Sequence, residues 1–126
     1  MSKYLIDTNI LIYHTAGLSQ SKTFIEQAVS ESPLNISVIT KIEFLGWDKH
    51  TEEGYAKCKK LADLAHVIPL DEVIAEKAIT LKKASSIKLG DAIIAATAIT
   101  NGLILVTRNK GDFKDVNGLE LFDPFS

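Results

Sequence analysis

Short apolar runs alternate with longer stretches of helical periodicity along the whole chain. Runs at 3–6, 35–38, 66–69, 103–107 and 119–122 have strand length and are rich in Ile, Leu and Val. Between them, the spacing predicts helices at about 9–15, 21–31, 40–49, 52–64, 71–85 and 91–101. Strands that alternate with helices in this way predict a three-layer α/β/α sandwich around a five-stranded, mainly parallel sheet. Local signals punctuate the pattern. Asp71 suits the N-cap of the fifth helix, whose buried stripe is expected from Ile74, Ala78, Ile79 and Leu81. Asn101-Gly102 is a stop signal for the sixth. Gly17 and Ser32-Pro33 mark earlier connections. No repeat, low-complexity tract or linker interrupts residues 1–126, which are read as one domain.

Composition narrows the class. An apolar fraction of 46% with 24% charged residues describes a globular chain rather than a disordered one. Cys58 is the single cysteine, so no internal disulfide can form, and a buried or surface thiol in a reducing cytoplasm is expected. No apolar stretch reaches the roughly 20 residues of a membrane span, and Met1-Ser2-Lys3-Tyr4 leads straight into a strand, which argues against a signal peptide. His14, His50 and His66 are not spaced as a ligand pair. The net charge of −2 gives no bulk attraction to nucleic acid. Of the 14 basic residues one is arginine, Arg108, and the rest are lysines.

The candidate chemistry lies in four acids at predicted element ends. Asp7 closes the run Tyr4-Leu5-Ile6, and Glu43 lies in the first turns of the third helix. Asp91 opens an Ala/Ile-rich helix after Gly90, and Asp112 follows the fourth strand by a short loop. In open parallel sheets the carboxyl ends of strands are where ligands bind, so these positions can converge on one rim. Two carboxylates 4 Å apart repel by roughly 4 kcal/mol at an effective dielectric near 20. A cluster of this kind requires protonation or a bound cation, and a divalent metal is the direct inference.

Each acid also has a plain structural reading. Asp7 can be an N-cap, with Thr8 and Asn9 alternatively fixing its rotamer as donors. Thr40-Lys41-Ile42-Glu43 matches a capping box. Asp91 can simply favour a helix N-terminus, although its helix is apolar on nearly every side and a charge at its mouth is costly unless paired. Asp112 sits in a connector where aspartate is common. Thr107 and Asn109 are placed to orient it or metal-bound waters. Arg108 can either contact a phosphate bidentately or form a salt bridge to one of the acids.

Taken together, four stretches resemble a PIN domain, specifically a VapC-type toxin of a toxin–antitoxin pair. They are Tyr4-Leu5-Ile6-Asp7-Thr8-Asn9-Ile10-Leu11, Ser37-Val38-Ile39-Thr40-Lys41-Ile42-Glu43, Ile87-Lys88-Leu89-Gly90-Asp91-Ala92-Ile93-Ile94-Ala95-Ala96-Thr97-Ala98 and Leu105-Val106-Thr107-Arg108-Asn109-Lys110-Gly111-Asp112-Phe113. They occur in the family's order and span essentially the whole chain. The resemblance implies a Mg²⁺- or Mn²⁺-dependent ribonuclease whose acidic site is Asp7, Glu43, Asp91 and Asp112. Thr107 matches the family's site hydroxyl and Asn109 its frequent polar neighbour. Gly90 stands where relatives often carry proline, and either residue suits a helix entrance. An antitoxin that covers the acidic pocket and a homodimer are implied as well.

An all-carboxylate donor set suits one or two Mg²⁺ or Mn²⁺ ions. Asp7 and Asp91 are expected to be the principal ligands, with Glu43 and Asp112 completing them. Arg108 and the lysines Lys82, Lys83, Lys88 and Lys110 would supply affinity for RNA. A phosphatase of the haloacid dehalogenase type is disfavoured, because its second acid would fall at Asn9. A nucleotide-binding reading lacks a glycine-rich phosphate loop. The alternatives that stand are a binding module on the same fold without turnover and an RNA-processing nuclease without an antitoxin. Phe44, Leu45 and Trp47 are either part of an antitoxin surface or core.

Overall fold

The computed structural model describes residues 3–17, 19–31 and 33–125. The chain runs β1 (Tyr4–Ile6), α1 (Thr8–Thr15), α2 (Ser19–Glu31), β2 (Asn35–Ser37), α3 (Val38–Leu45), α4 (Glu52–Leu64) and β3 (His66–Ile68). It continues through α5 (Glu72–Ala84), α6 (Leu89–Thr100), β4 (Ile104–Val106), a single 3₁₀ turn (Lys110–Phe113) and β5 (Leu121–Phe122). The expected break at Ser32, and the lead-in through Met1 and Ser2, lie outside the described residues.

The five strands form one parallel sheet in the order β3-β2-β1-β4-β5. Alternation along each strand sends neighbouring side chains to opposite layers. Leu5 and Leu105 enter a core with Ile74, Ala78 and Leu81 of α5 and the apolar residues of α6. Ile6, Ile36 and Val106 enter a second core with Ile10, Leu11, Ile25, Phe44 and Cys58. Both faces are therefore covered, as an all-parallel sheet requires. The expected α/β/α sandwich is the observed one.

The sheet order places a switch point at its centre. From β1 the chain moves to one side for β2 and β3, then crosses to the other for β4 and β5. The crevice past the carboxyl ends of β1 and β4 is where such a sheet leaves room for a ligand. Asp7 directly follows β1 there, and its backbone N–H donates to the Val106 carbonyl at 2.9 Å.

Several element ends follow from local chemistry. Asp71 caps α5, its carboxylate accepting from the Ile74 N–H at 2.9 Å. Gly102, at φ +63°, turns the chain out of α6, a conformation most side chains avoid. Three expectations are corrected. Helix α3 starts at Val38 rather than 40, because the Ser37 hydroxyl accepts from the Ile39 N–H and caps it. Val38 and Ile39 are β-branched, so the start of the helix looks like the end of the strand. Thr40 lies inside the helix and fully buried, so the Thr40–Glu43 capping box does not form. Ile79, expected in the buried stripe of α5, is 52% exposed, since the buried face of the helix is formed by positions 74, 78 and 81. Among the described residues no helix is long and apolar enough to cross a membrane.

Candidate active site

Asp7 is the best-defined member of the acidic rim. It caps α1 in extended conformation, its Oδ1 accepting from the Thr8 N–H at 2.8 Å. Its Oδ2 accepts from Asn9 Nδ2 at 3.0 Å and from the Thr107 hydroxyl at 2.9 Å. The N-cap reading and the site reading are thus both true of one side chain. Thr107, wholly buried, also accepts from the Asn109 N–H at 3.0 Å. The loop after β4 is therefore built around the carboxylate that ends β1.

The hydroxyls serve different acids from those expected. Thr107 orients Asp7 rather than Asp112, because parallel pairing of β1 with β4 puts residues 7 and 107 side by side. The Thr8 hydroxyl donates to Glu43 Oε1 at 2.8 Å, while only its backbone N–H serves Asp7. Asn109 acts through its backbone, its carbonyl accepting from the Asp112 N–H at 3.1 Å.

Despite these donors, burial pushes the Asp7 carboxyl up from 3.8 to about 6, and the charges of Asp91 and Glu43 add to the rise. The hydrogen bonds from Thr107 and the Thr8 backbone oppose it. Asp91, third residue of α6, is raised as well, first by burial and then by Asp112 and Glu43, with Lys88 opposing. These couplings put Asp7, Glu43 and Asp91 in one electrostatic neighbourhood and join Asp112 to it through Asp91. Glu43 also approaches the mouth of α6, its Oε2 standing 3.4 Å from where a Cβ on Gly90 would be. Asp91 and Asp112 share a cleft of about 230 Å³ with Lys88 and Lys114.

Among the described residues, however, no three Asp, Glu, His or Cys side chains are set to hold one ion between them. Protein donors occupy both oxygens of Asp7 and one of Glu43. The donor set nonetheless has the character of a hard-cation site: carboxylate oxygens with uncompensated negative charge, and no sulfur or imidazole beside them.

Arg108 does not form the salt bridge that was one of its two expected roles. No ion pair joins it to the acids among the described residues. Its guanidinium lies over the Phe125 ring at 4.4 Å and near the Tyr13 ring at 5.2 Å. Of the lysines, Lys88 lines the Asp91–Asp112 cleft, whereas Lys82 donates to the Ile87 carbonyl at 2.9 Å. Lys114, Tyr13 and Phe125 were not expected near the site. Nothing in the local pattern marks them, because Lys114 comes by the turn after β4, Phe125 by the tail after β5, and Tyr13 by its contact with Arg108. Phe44 is fully buried and Leu45 packs against the same core, so Trp47, 42% exposed, is the only one of that apolar trio at the surface.

Comparison with known proteins agrees with this architecture. Residues 4–119 match the PIN domain family. The chain is 34% identical over 114 residues to Ribonuclease VapC10 of Mycobacterium tuberculosis, covering 86% of this chain and 84% of that protein. It is 34% identical over 128 residues to Ribonuclease VapC1 of Rickettsia felis, covering 93% and 92%. A chain of a toxin-antitoxin complex from Klebsiella pneumoniae superposes with a TM-score of 0.80 at 33% identity, covering 96% and 97%. With sheet order, acidic rim and near end-to-end similarity in agreement, this chain belongs to the PIN-domain family and is a homologue of the VapC-type toxins.

Proposed function

We propose that this protein is a Mg²⁺- or Mn²⁺-dependent endoribonuclease acting at the rim formed by Asp7, Glu43, Asp91 and Asp112. The observation that carries the reading is Asp7: a buried carboxylate, held by three donors, whose charge is disfavoured by neighbours of the same sign. Such an arrangement is unfavourable in isolation and becomes favourable beside a cation. The curated relatives of similar length are named ribonucleases.

Asp7 and Asp91 would hold one or two ions, with Glu43 and Asp112 contributing directly or through water, since no closed three-ligand cage forms among the described residues. A bound divalent cation supplies charge neutralisation at the phosphate and a more acidic water for in-line attack at phosphorus. The chain's own residues set the geometry. Thr107 and Asn9 fix the Asp7 rotamer, and Thr8 fixes Glu43. Lys88 and Arg108, which precede Asp91 and Asp112 by three and four residues, would meet the phosphate backbone of the substrate.

An antitoxin partner belongs to the same reading, supported by likeness to a chain from a toxin-antitoxin complex, and a homodimer is proposed with it. Purified Asp7→Asn protein is expected to lose RNA cleavage while keeping its fold by circular dichroism. Cleavage at the wild-type rate by that variant would refute the assignment. Asp91→Asn with bound RNA but no turnover separates an enzyme from a pure binding module. Expression of wild type should arrest growth and expression of Asp7→Asn should not; equal growth would remove the toxin role.

A further inference from the structure

We infer that Tyr13 and Phe125 are positioning residues that hold Arg108 as a pre-oriented clamp for an RNA phosphate next to the acidic rim. The inference rests on the ribonuclease reading for its ligand and on the following geometry for its residues.

Arg108 directly follows Thr107, whose hydroxyl binds Asp7. Its backbone N–H donates to Asn9 Oδ1 at 3.1 Å, and the Nδ2 of the same amide donates to Asp7. The main chain of Arg108 is thus pinned to the hydrogen-bonded group that fixes the buried carboxylate. Asn9 and Tyr13 are four residues apart on α1 and so lie on one helix face. The first takes the backbone of residue 108, and the second takes its side chain, ring centroid to guanidinium carbon 5.2 Å.

The tail adds a second ring beside the first. Phe125 stands 4.4 Å from the guanidinium and 5.4 Å from the Tyr13 ring, the two rings meeting edge to face. The tail is itself tied down, since the Phe125 N–H donates to Asp123 at 2.8 Å. The Thr107 N–H donates to the Phe122 carbonyl at 3.0 Å. Three segments distant in sequence therefore converge on one side chain.

Why hold an exposed arginine this way? Contact with rings on one side of a guanidinium leaves the N–H donors on its far side free to bind a phosphate acceptor. It also removes much of the rotamer freedom that a surface arginine would otherwise lose on binding. The cradled cation has no carboxylate ion-pair partner among the described residues, although Thr107, one residue before it, binds Asp7. A cation that avoids nearby carboxylates and is seated against two rings is arranged for an anion that arrives later. An RNA strand with one phosphate at the acids would have a neighbouring phosphate within its reach.

The test uses the full-length protein and a fluorescent single-stranded 2′-O-methyl oligoribonucleotide, which resists cleavage, with Mn²⁺ present. Arg108→Lys, Tyr13→Leu and Phe125→Leu are each expected to weaken binding by roughly threefold to tenfold, with the melting temperature held near wild type. Tyr13→Phe and Phe125→Tyr should restore it, since each retains a ring. Arg108→Ala should also lower the slope of log affinity against log salt by about 0.7, the loss of one phosphate contact. On cleavable RNA the leucine variants should raise KM with little change in kcat. Wild-type affinity in both leucine variants, or no rescue by the aromatic replacements, overturns the clamp. If that happens while Asp7→Asn still abolishes cleavage, the ribonuclease assignment survives. A wild type that binds the oligonucleotide through these residues yet cleaves nothing leaves the clamp and removes the nuclease.

Discussion

At the scale of single residues, Asp7 concentrates the conflict between stability and function. Its carboxyl binds a proton more tightly in the fold than at its ordinary value of 3.8, rising to about 6. The folded state therefore holds more protons than the unfolded chain between those values, and stability falls as pH rises through that window. Above it the penalty is complete and of the order of 3 kcal/mol, from about 1.36 kcal/mol per pKa unit. Metal-free protein is expected to melt at a lower temperature at pH 7 than at pH 5. Asp7→Asn in EDTA should be more stable than wild type at pH 7, by about 1–2 kcal/mol once a weakened hydrogen bond is subtracted. Added Mn²⁺ should stabilise wild type and not the variant. Calorimetry in EDTA and in Mn²⁺ checks all three, and a variant less stable than wild type at pH 7 would contradict them.

At the scale of elements, α3 shows how one hydroxyl sets a site residue. The Ser37 cap starts the helix at Val38, and that start fixes the angular position of Glu43 against Thr8 and the mouth of α6. Gly46 then stops it, where a Cβ would come within 2.6 Å of the Ile42 carbonyl oxygen. Ser37→Ala is expected to cost about 1 kcal/mol in urea denaturation, the usual value for a lost N-cap. It should reduce RNA cleavage as well, because the turn carrying Glu43 is left less fixed. Unchanged stability would show that the strand, not the cap, defines this helix start. The sequence pattern found α3 but missed its beginning. Two β-branched residues after β2 carry the same signature in a strand end and in a first helical turn.

For the whole molecule, charge and exposed apolar surface decide what it can associate with. A net charge of −2 gives no general field for nucleic acid, so in the proposed function substrate affinity would rest on divalent cations and a few placed cations. Self-association, part of the proposed function, has one well-suited face. Ile79 on α5, with Leu70 and Leu89 beside it, borders a groove of about 370 Å³, and Val73 on the same helix is 66% exposed. The start of α5 carries Glu72 and Glu76 and its end Lys82 and Lys83. Two copies packed antiparallel across that helix would set acid against base at both ends, as a two-fold interface requires. Ile79→Glu should shift a dimer to monomer by sedimentation velocity, while Trp47→Glu, on another surface, should not. A monomeric wild type at micromolar concentration would rule this face out as a stable interface.

The sequence alone determined the layer order, the parallel sheet and the four acids at its rim. Those features rest on local periodicity and on carboxylates at element ends, both written in neighbouring residues. Tertiary structure decided which donor serves which acid. Thr107 reaches Asp7 across 100 positions because β1 and β4 pair in parallel, and Thr8 turns to Glu43 across 35. It also placed Arg108 against rings from α1 and the tail. Hydrogen bonds and stacking act over a few ångströms, and those distances exist only once the strands have chosen their neighbours.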